Sequence, residues 1–364
     1  MTASRMPAHR LPGTLTVVPV TGVGEVVPGD DLASVLLDAL AGAEVAVEPG
    51  DCLVVSSKVV SKALGLTWTG SREDAVAAGT VRVVAERAGE GHVTRVVEAV
   101  AGPVMAAAGV DASNTGPTDA LLVLPDDPDA EAARLRGAVL DRLGLEASAP
   151  LAVVLSDTAG RPWRAGLADL ALGSAGLRVL DDLRGAHDHD GRLLAVTVRA
   201  VADEVAAAAD LVKGKADGIP AALVRGLDAG WFADEAPGAR SLVRTGPGDW
   251  FALGDVEAVR AALGVEPGSA ASTEVGVVPA RPEEDLGPRV GRVVALALHD
   301  VPEGSADVGV DEASGRAEVT LAASDDYELG RLVTRCEVAA HSERLRARVT
   351  ARGVRSVTVA LSRG

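Results

Sequence analysis

The sequence predicts a mixed α/β (α+β) protein with a small α/β module at its C-terminal end. Three observations predict it. Short apolar runs such as Cys52–Val55 and Leu151–Leu155 alternate with longer stretches of helical spacing such as Asp129–Leu143. Of the residues, 48% are hydrophobic but only 2% aromatic, so Ala, Val and Leu must build a core of buried strands and Ala-rich helices. A stretch rich in Gly, Pro, Ser and Glu, residues 264–285, then interrupts the alternation before it resumes. A length of 364 residues permits two domains. The expected division is a disordered start (1–14), a main domain (15–263), a linker (264–285) and a small module of no recognisable site (286–364).

Taken in order, Thr16–Val20 reads as a strand. Pro28-Gly29-Asp30-Asp31 supplies a turn and N-cap for a helix that places Leu32, Val35, Leu36, Ala39 and Leu40 on one face. Cys52–Val55 is a buried strand, and a helix over Ser56–Lys62 would put Lys58 and Lys62 on the same side. Leu121–Leu124 and Leu151–Leu155 are strands flanking the Asp129–Leu143 helix, with Asp157 just past the second strand's end. Leu193–Val198 reads as a strand, Val201–Val212 as a helix and Ala221–Val224 as a strand. In the module, Arg292–Leu298, Ala317–Ala322 and Val354–Leu361 read as strands and Tyr327–Leu345 as a helix.

A formal charge of −17 with no basic run disfavours nucleic acid as a partner, while leaving room for a small anion in a local basic pocket. Two distant cysteines, Cys52 and Cys336, signal neither a zinc site nor a disulfide framework and fit reduced thiols in the cytoplasm. No uninterrupted apolar run approaches 18 residues, so no membrane partner is expected. Motifs for common phosphate-binding loops, dinucleotide folds, zinc proteases and serine hydrolases are absent.

The residues that carry chemistry lie at turns beside apolar stretches. Asp111 and Asp157 suit a divalent magnesium or manganese ion, with the Thr158 hydroxyl as a further ligand, because hard cations take oxygen donors and need few protein carboxylates when a nucleotide completes the shell. Each Asp alone also fits a turn hydrogen bond. Ser57, Lys58 and Lys62 can meet phosphate oxygens, although two lysines after a strand also suit a solvated face. Gly214 and Gly218 let backbone N–H groups approach a phosphate. Arg161 and Arg164 flank Trp163 and offer forked guanidinium groups to a carboxylate or phosphate, or are surface arginines beside a packed Trp.

Six ordered blocks resemble the coenzyme F-420-0:L-glutamate ligases, the gamma-glutamyl ligase family. They are PGDDL (28–32), GDCLVVSSKVVSK (50–62), GVDASN (109–114), SDTAGRPWRAG (156–166), VADE (201–204) and KGKADGIP (213–220) followed by VRG (224–226). The resemblance runs from about Leu15 to Gly226. It implies a mixed α/β ligase-family fold forming an intertwined homodimer, and GTP-dependent joining of L-glutamate to F-420-0 through an acyl phosphate, with magnesium or manganese and potassium. By motif position it implies that Val23, Gly24, Glu25, Val26, Ser57, Lys58, Lys62, Asn114, Lys213, Gly214, Lys215, Ala216, Asp217, Gly218 and Ile219 contact GTP. Asp111 and Asp157 would hold one metal, and Thr158 a second. Lys62, Arg161 and Arg164 are the expected catalytic side chains, the arginines orienting an anionic group.

Two departures stand out. Lys215 stands where archaeal-type members have a Glu on the second metal, so an ammonium would replace part of that charge. The loop Asp188–Arg192 lacks a Tyr before Gly191. Some relatives carry a C-terminal flavin domain, but the tail here is too short for one, and no FMN is expected. Competing readings are a metal-dependent phosphohydrolase or nucleotide-handling enzyme on the same aspartates, and a degenerate paralogue acting as a binding module.

Overall fold

The computed structural model describes residues 13–88, 93–112, 120–215, 217–245, 249, 254–266, 268–276 and 284–363. It contains two compact units, Met1–Val243 and Arg244–Gly364. The division falls earlier than the expected 263, because Leu263 and Val265 are buried in the second unit's core. The expected linker also holds a helix.

In the first unit, β1 (Thr16–Pro19) precedes α1 (Leu32–Gly42), whose N-cap Asp31 accepts from the Ser34 N–H and whose Leu32, Leu36 and Leu40 are buried. Then come β2 (Asp51–Ser56), α2 (Ser57–Ala63), β3 (Thr67–Trp68), α3 (Arg72–Ala78), β4 (Thr80–Ala88), β5 (Val93–Ala99), β6 (Val104–Ala106) and β7 (Leu121–Leu122). α4 (Pro128–Leu143) has Asp127 at its N-cap, Pro128 in its first turn and left-handed Gly144 after its end, so both termini are satisfied locally. β8 (Ala152–Arg161) and β9 (Arg164–Ala175) form a long hairpin. β10 (Asp181–Asp182), β11 (Val198–Arg199), α5 (Val201–Lys213) and β12 (Ala221–Arg225) complete the unit.

The main sheet has the order β1-β12-β2-β8-β9, with β2 and β8 parallel and the other pairs antiparallel. Its central segments Cys52–Val55, Ala152–Leu155 and Ala221–Val224 are apolar because both faces are covered there. Leu53, Val55, Val153 and Leu155 pack with α1 and α4, while Cys52, Val54, Ala152 and Val154 pack with α5. Burial pushes the Cys52 thiol far up, so it is an inert core group.

The second unit contains α6 (Gly254–Ala262), α7 (Ala270–Val275), α8 (Leu286–Leu298), β13 (Ser305–Asp311), β14 (Arg316–Ala322), α9 (Asp326–Ser342), β15 (Leu345–Gly353) and β16 (Ser356–Arg363). Its antiparallel sheet runs β13-β14-β16-β15. Its core holds an ionic knot in which Glu343 accepts from Arg260 at 2.6 Å and from Arg292 at 2.7 Å.

Two expected strands are corrected. Residues 292–298 are the end of helix α8, since Leu286, Val290, Val293, Leu296 and Ala297 form one buried helical stripe. Residues 193–198 give only the short β11, because Leu193 and Val196 face solvent and no core rewards a longer strand. Asp157 lies inside β8 and not past its end, since pairing with β9 carries the strand on to Arg161.

Candidate active site

A cleft of about 470 Å3 opens at the carboxyl ends of the parallel pair β2 and β8, where open α/β sheets bind ligands. The chain passes from β2 directly into α2, and the four-residue spacing places Lys58 and Lys62 together on the cleft wall. Lys58 pairs with Asp111 at 2.7 Å and Lys62 with Glu25 at 2.5 Å. A backbone bridge to Leu122 fixes Asp111.

Asp157 and Thr158 enter the cleft from β8. Burial, opposed by the Thr158 N–H and reinforced by the nearby Asp169 and Asp111 carboxylates, pushes the Asp157 carboxyl up to about 6. A buried carboxylate crowded by like charge fits a hard divalent ion, which would relieve both costs, and Asp111 is near enough for its charge to act on Asp157. Among the described residues no cluster of three or more acidic, His or Cys ligands accompanies them.

Directly opposite Thr158 in the hairpin stands Asp169, with its side chain 3% exposed. Its Oδ2 accepts from Lys213 at 2.7 Å and from Ser156 at 2.9 Å; its Oδ1 accepts from Thr158 at 2.6 Å and from Lys215 at 3.2 Å. Burial alone would raise this carboxyl, but the Lys213 ammonium and the donated hydrogen bonds hold it below its usual range. Lys215 also contacts the Thr158 hydroxyl and pairs with Asp210 at 3.2 Å.

Of the residues expected from the sequence, Val23, Gly24, Glu25, Val26, Lys58, Lys62, Asp111, Asp157, Thr158, Lys213, Gly214, Lys215, Gly218 and Ile219 line this one cleft. Ser57 is buried beside it and the neighbouring Ser56 lines it instead. Asp217 is exposed outside the lining, and Asn114 and Ala216 lie outside the described residues. Arg161 and Arg164 sit at the hairpin tip, exposed and away from the cleft, beside Trp163, which is 91% exposed. Asp169 and Asp210 were not expected from the sequence. The signal for Asp169 was a lone acid inside the apolar run Leu167–Leu172, which demands buried partners.

The arrangement can hold a phosphorylated anion between lysines beside a carboxylate-bound cation. That chemistry suits an anionic, phosphate-bearing ligand. The family described as F420-0:Gamma-glutamyl ligase matches residues 22–226, which contain every residue of the cleft lining, and the chain belongs to that family of ligase enzymes. A coenzyme F420:L-glutamate ligase of Haloarcula marismortui is 39% identical over 63% of this chain and 93% of its own length. One from Methanopyrus kandleri is 37% identical over 65% of this chain and 98% of its own length. Among the described residues no helix is long and apolar enough to cross a membrane.

Proposed function

We propose that the protein joins L-glutamate to coenzyme F-420-0 in coenzyme F-420 biosynthesis, with GTP as co-substrate, magnesium or manganese as the divalent ion and potassium as a further cation. The observation that carries this reading is the convergence of Lys58, Lys62, Asp111 and Asp157 on one cleft inside the family-matched segment. A carboxylate resists attack by an amine, so the acceptor carboxylate first takes the gamma-phosphoryl group of GTP, giving an acyl phosphate and GDP. The glutamate amine then attacks the acyl carbon, phosphate leaves, and the amine loses its proton as the amide forms.

Lys58 and Lys62 bind phosphate oxygens as point charges, releasing their present partners Asp111 and Glu25. Asp111 and Asp157 would hold the divalent ion, whose chemistry there would be to neutralise charge on a phosphoryl group. Gly218, which takes a positive φ at the cleft wall, would turn its backbone N–H toward a phosphate. A homodimer is part of the proposal. The exposed Trp163 and Leu167 of the hairpin and Val81, Val83 and Val84 of β4 give apolar surface for a second copy. Arg161 and Arg164 would orient an anionic substrate only by reaching the cleft of that copy.

Mass spectrometry of F-420-0 incubated with protein, GTP, L-glutamate and manganese tests the reading, with each component omitted in turn. Stepwise gain of glutamyl mass with matching GDP is expected. GTP loss without glutamylation would replace the ligase with a phosphohydrolase, and no turnover would point to a binding module.

A further inference from the structure

The Thr158 corner of the cleft does not fit a second divalent ion. Three oxygens converge there from three elements: the Thr158 hydroxyl from β8, an Asp169 carboxylate oxygen from β9 and an Asp210 carboxylate oxygen from α5. All three face one group, the Lys215 ammonium, which donates to Thr158 and Asp169 and forms an ion pair with Asp210 at 3.2 Å. The other Asp169 oxygen is already taken by the buried Lys213 ammonium and by Ser156. A divalent ion on Thr158 and Asp169 would have to expel Lys215 and remain beside Lys213. Lys215 is 60% exposed at its side chain, so it reaches this corner from the solvent edge while lining the cleft.

We infer that Lys215 is a tethered cation. It keeps a second divalent ion out of the Thr158–Asp169–Asp210 corner and presents its own positive charge to the phosphate-bearing ligand. The cleft therefore takes one divalent ion, at Asp111 and Asp157. Lys215 touches oxygens that a metal would otherwise coordinate, and its role is electrostatic and positional. The inference rests on the proposed metal-and-phosphate role of the cleft.

The test counts manganese ions retained per chain by the full-length protein in the presence of GDP. Free manganese is read by electron paramagnetic resonance against a GDP-only control. The unmodified protein is expected to retain one ion. Lys215→Glu, which frees the corner and adds a ligand, is expected to retain two, and Lys215→Met a weaker second ion. A cooperative thermal unfolding transition in each variant would show that it is folded. Two ions on the unmodified protein would overturn the inference, as would a single ion on all three proteins. No retained ion on any protein would instead overturn the metal reading of Asp111 and Asp157, and the inference with it.

Discussion

Lys213→Met isolates the charge that holds the hairpin to helix α5. The ammonium is 4% exposed at its side chain and donates to Asp169 and Ser156, both at 2.7 Å. Removing it leaves the Asp169 carboxylate buried with two hydroxyl donors and Lys215, which is largely solvent-facing and offsets little. Breaking a buried pair by deleting one partner costs about 3–5 kcal/mol, and the remaining donors place this case near about 3 kcal/mol. Urea unfolding followed by Trp231, which is buried in the first unit, reads the loss as a lower midpoint. The pH dependence carries the sign. Asp169 is held below its unfolded value of about 3.9, so its pairing stabilises the fold above that pH and the contribution disappears as pH falls through the lower native value. Without Lys213, burial raises the carboxyl instead. The difference between variant and unmodified protein should then be largest near neutrality and shrink in acid. A loss under about 1 kcal/mol at pH 7, the range of exposed pairs, or a loss independent of pH, would refute the buried-charge reasoning.

Asp157→Asn should abolish metal-supported ligation. Because burial pushes the unmodified carboxyl up to about 6 and it must be ionised to take a cation, manganese affinity measured by calorimetry should rise between pH 5 and pH 7, and that rise should vanish in the variant. Lys62→Met should weaken GTP binding about 10- to 100-fold, the equivalent of one charged hydrogen bond of about 1.5–3 kcal/mol, in an equilibrium titration. Gly173→Ala should lower the thermal midpoint through a loss of about 1–3 kcal/mol, because an added Cβ would stand 2.1 Å from the Pro128 carbonyl oxygen and backbone would have to move.

Local patterns carried much of the fold into the sequence. The β2–α2 junction was legible because an apolar run ends at a serine pair and Lys58 and Lys62 recur one helical turn apart, so adjacent residues suffice to place both. The segment from Arg292 on resembles a strand because it contains only the apolar second half of helix α8. Extending it back to Leu286 and Val290 reveals the helical stripe. β4 and β5 went unread because their mix of Val, Arg and Glu lacks a strong apolar run, and their pairing is interrupted by two register shifts.

The charged half of the site depends on a feature no local pattern encodes. Across the β8–β9 hairpin the register steps from Leu155 opposite Gly173 to Ser156 opposite Ala171, leaving Leu172 as an extra residue. That bulge exchanges the two faces of β9 beyond it. Before the bulge Gly173 shares the face of Leu155, which packs toward α1 and α4; after it Ala171 and Asp169 share the face of Ser156 and Thr158, which lies toward α5. In an unbroken register Leu170 would occupy the α5 side, and Asp169 would point away from Lys213. One inserted residue thus decides whether a lone acid meets two ammonium groups or is stranded in the core. Asp157, one residue from Thr158, falls on the opposite face by simple alternation and so meets Lys58 and Asp111 instead. The hairpin therefore splits its polar residues between two neighbouring corners of one cleft. One corner sets Asp157 beside the Lys58–Asp111 pair, and the other sets Asp169 between Lys213 and Lys215.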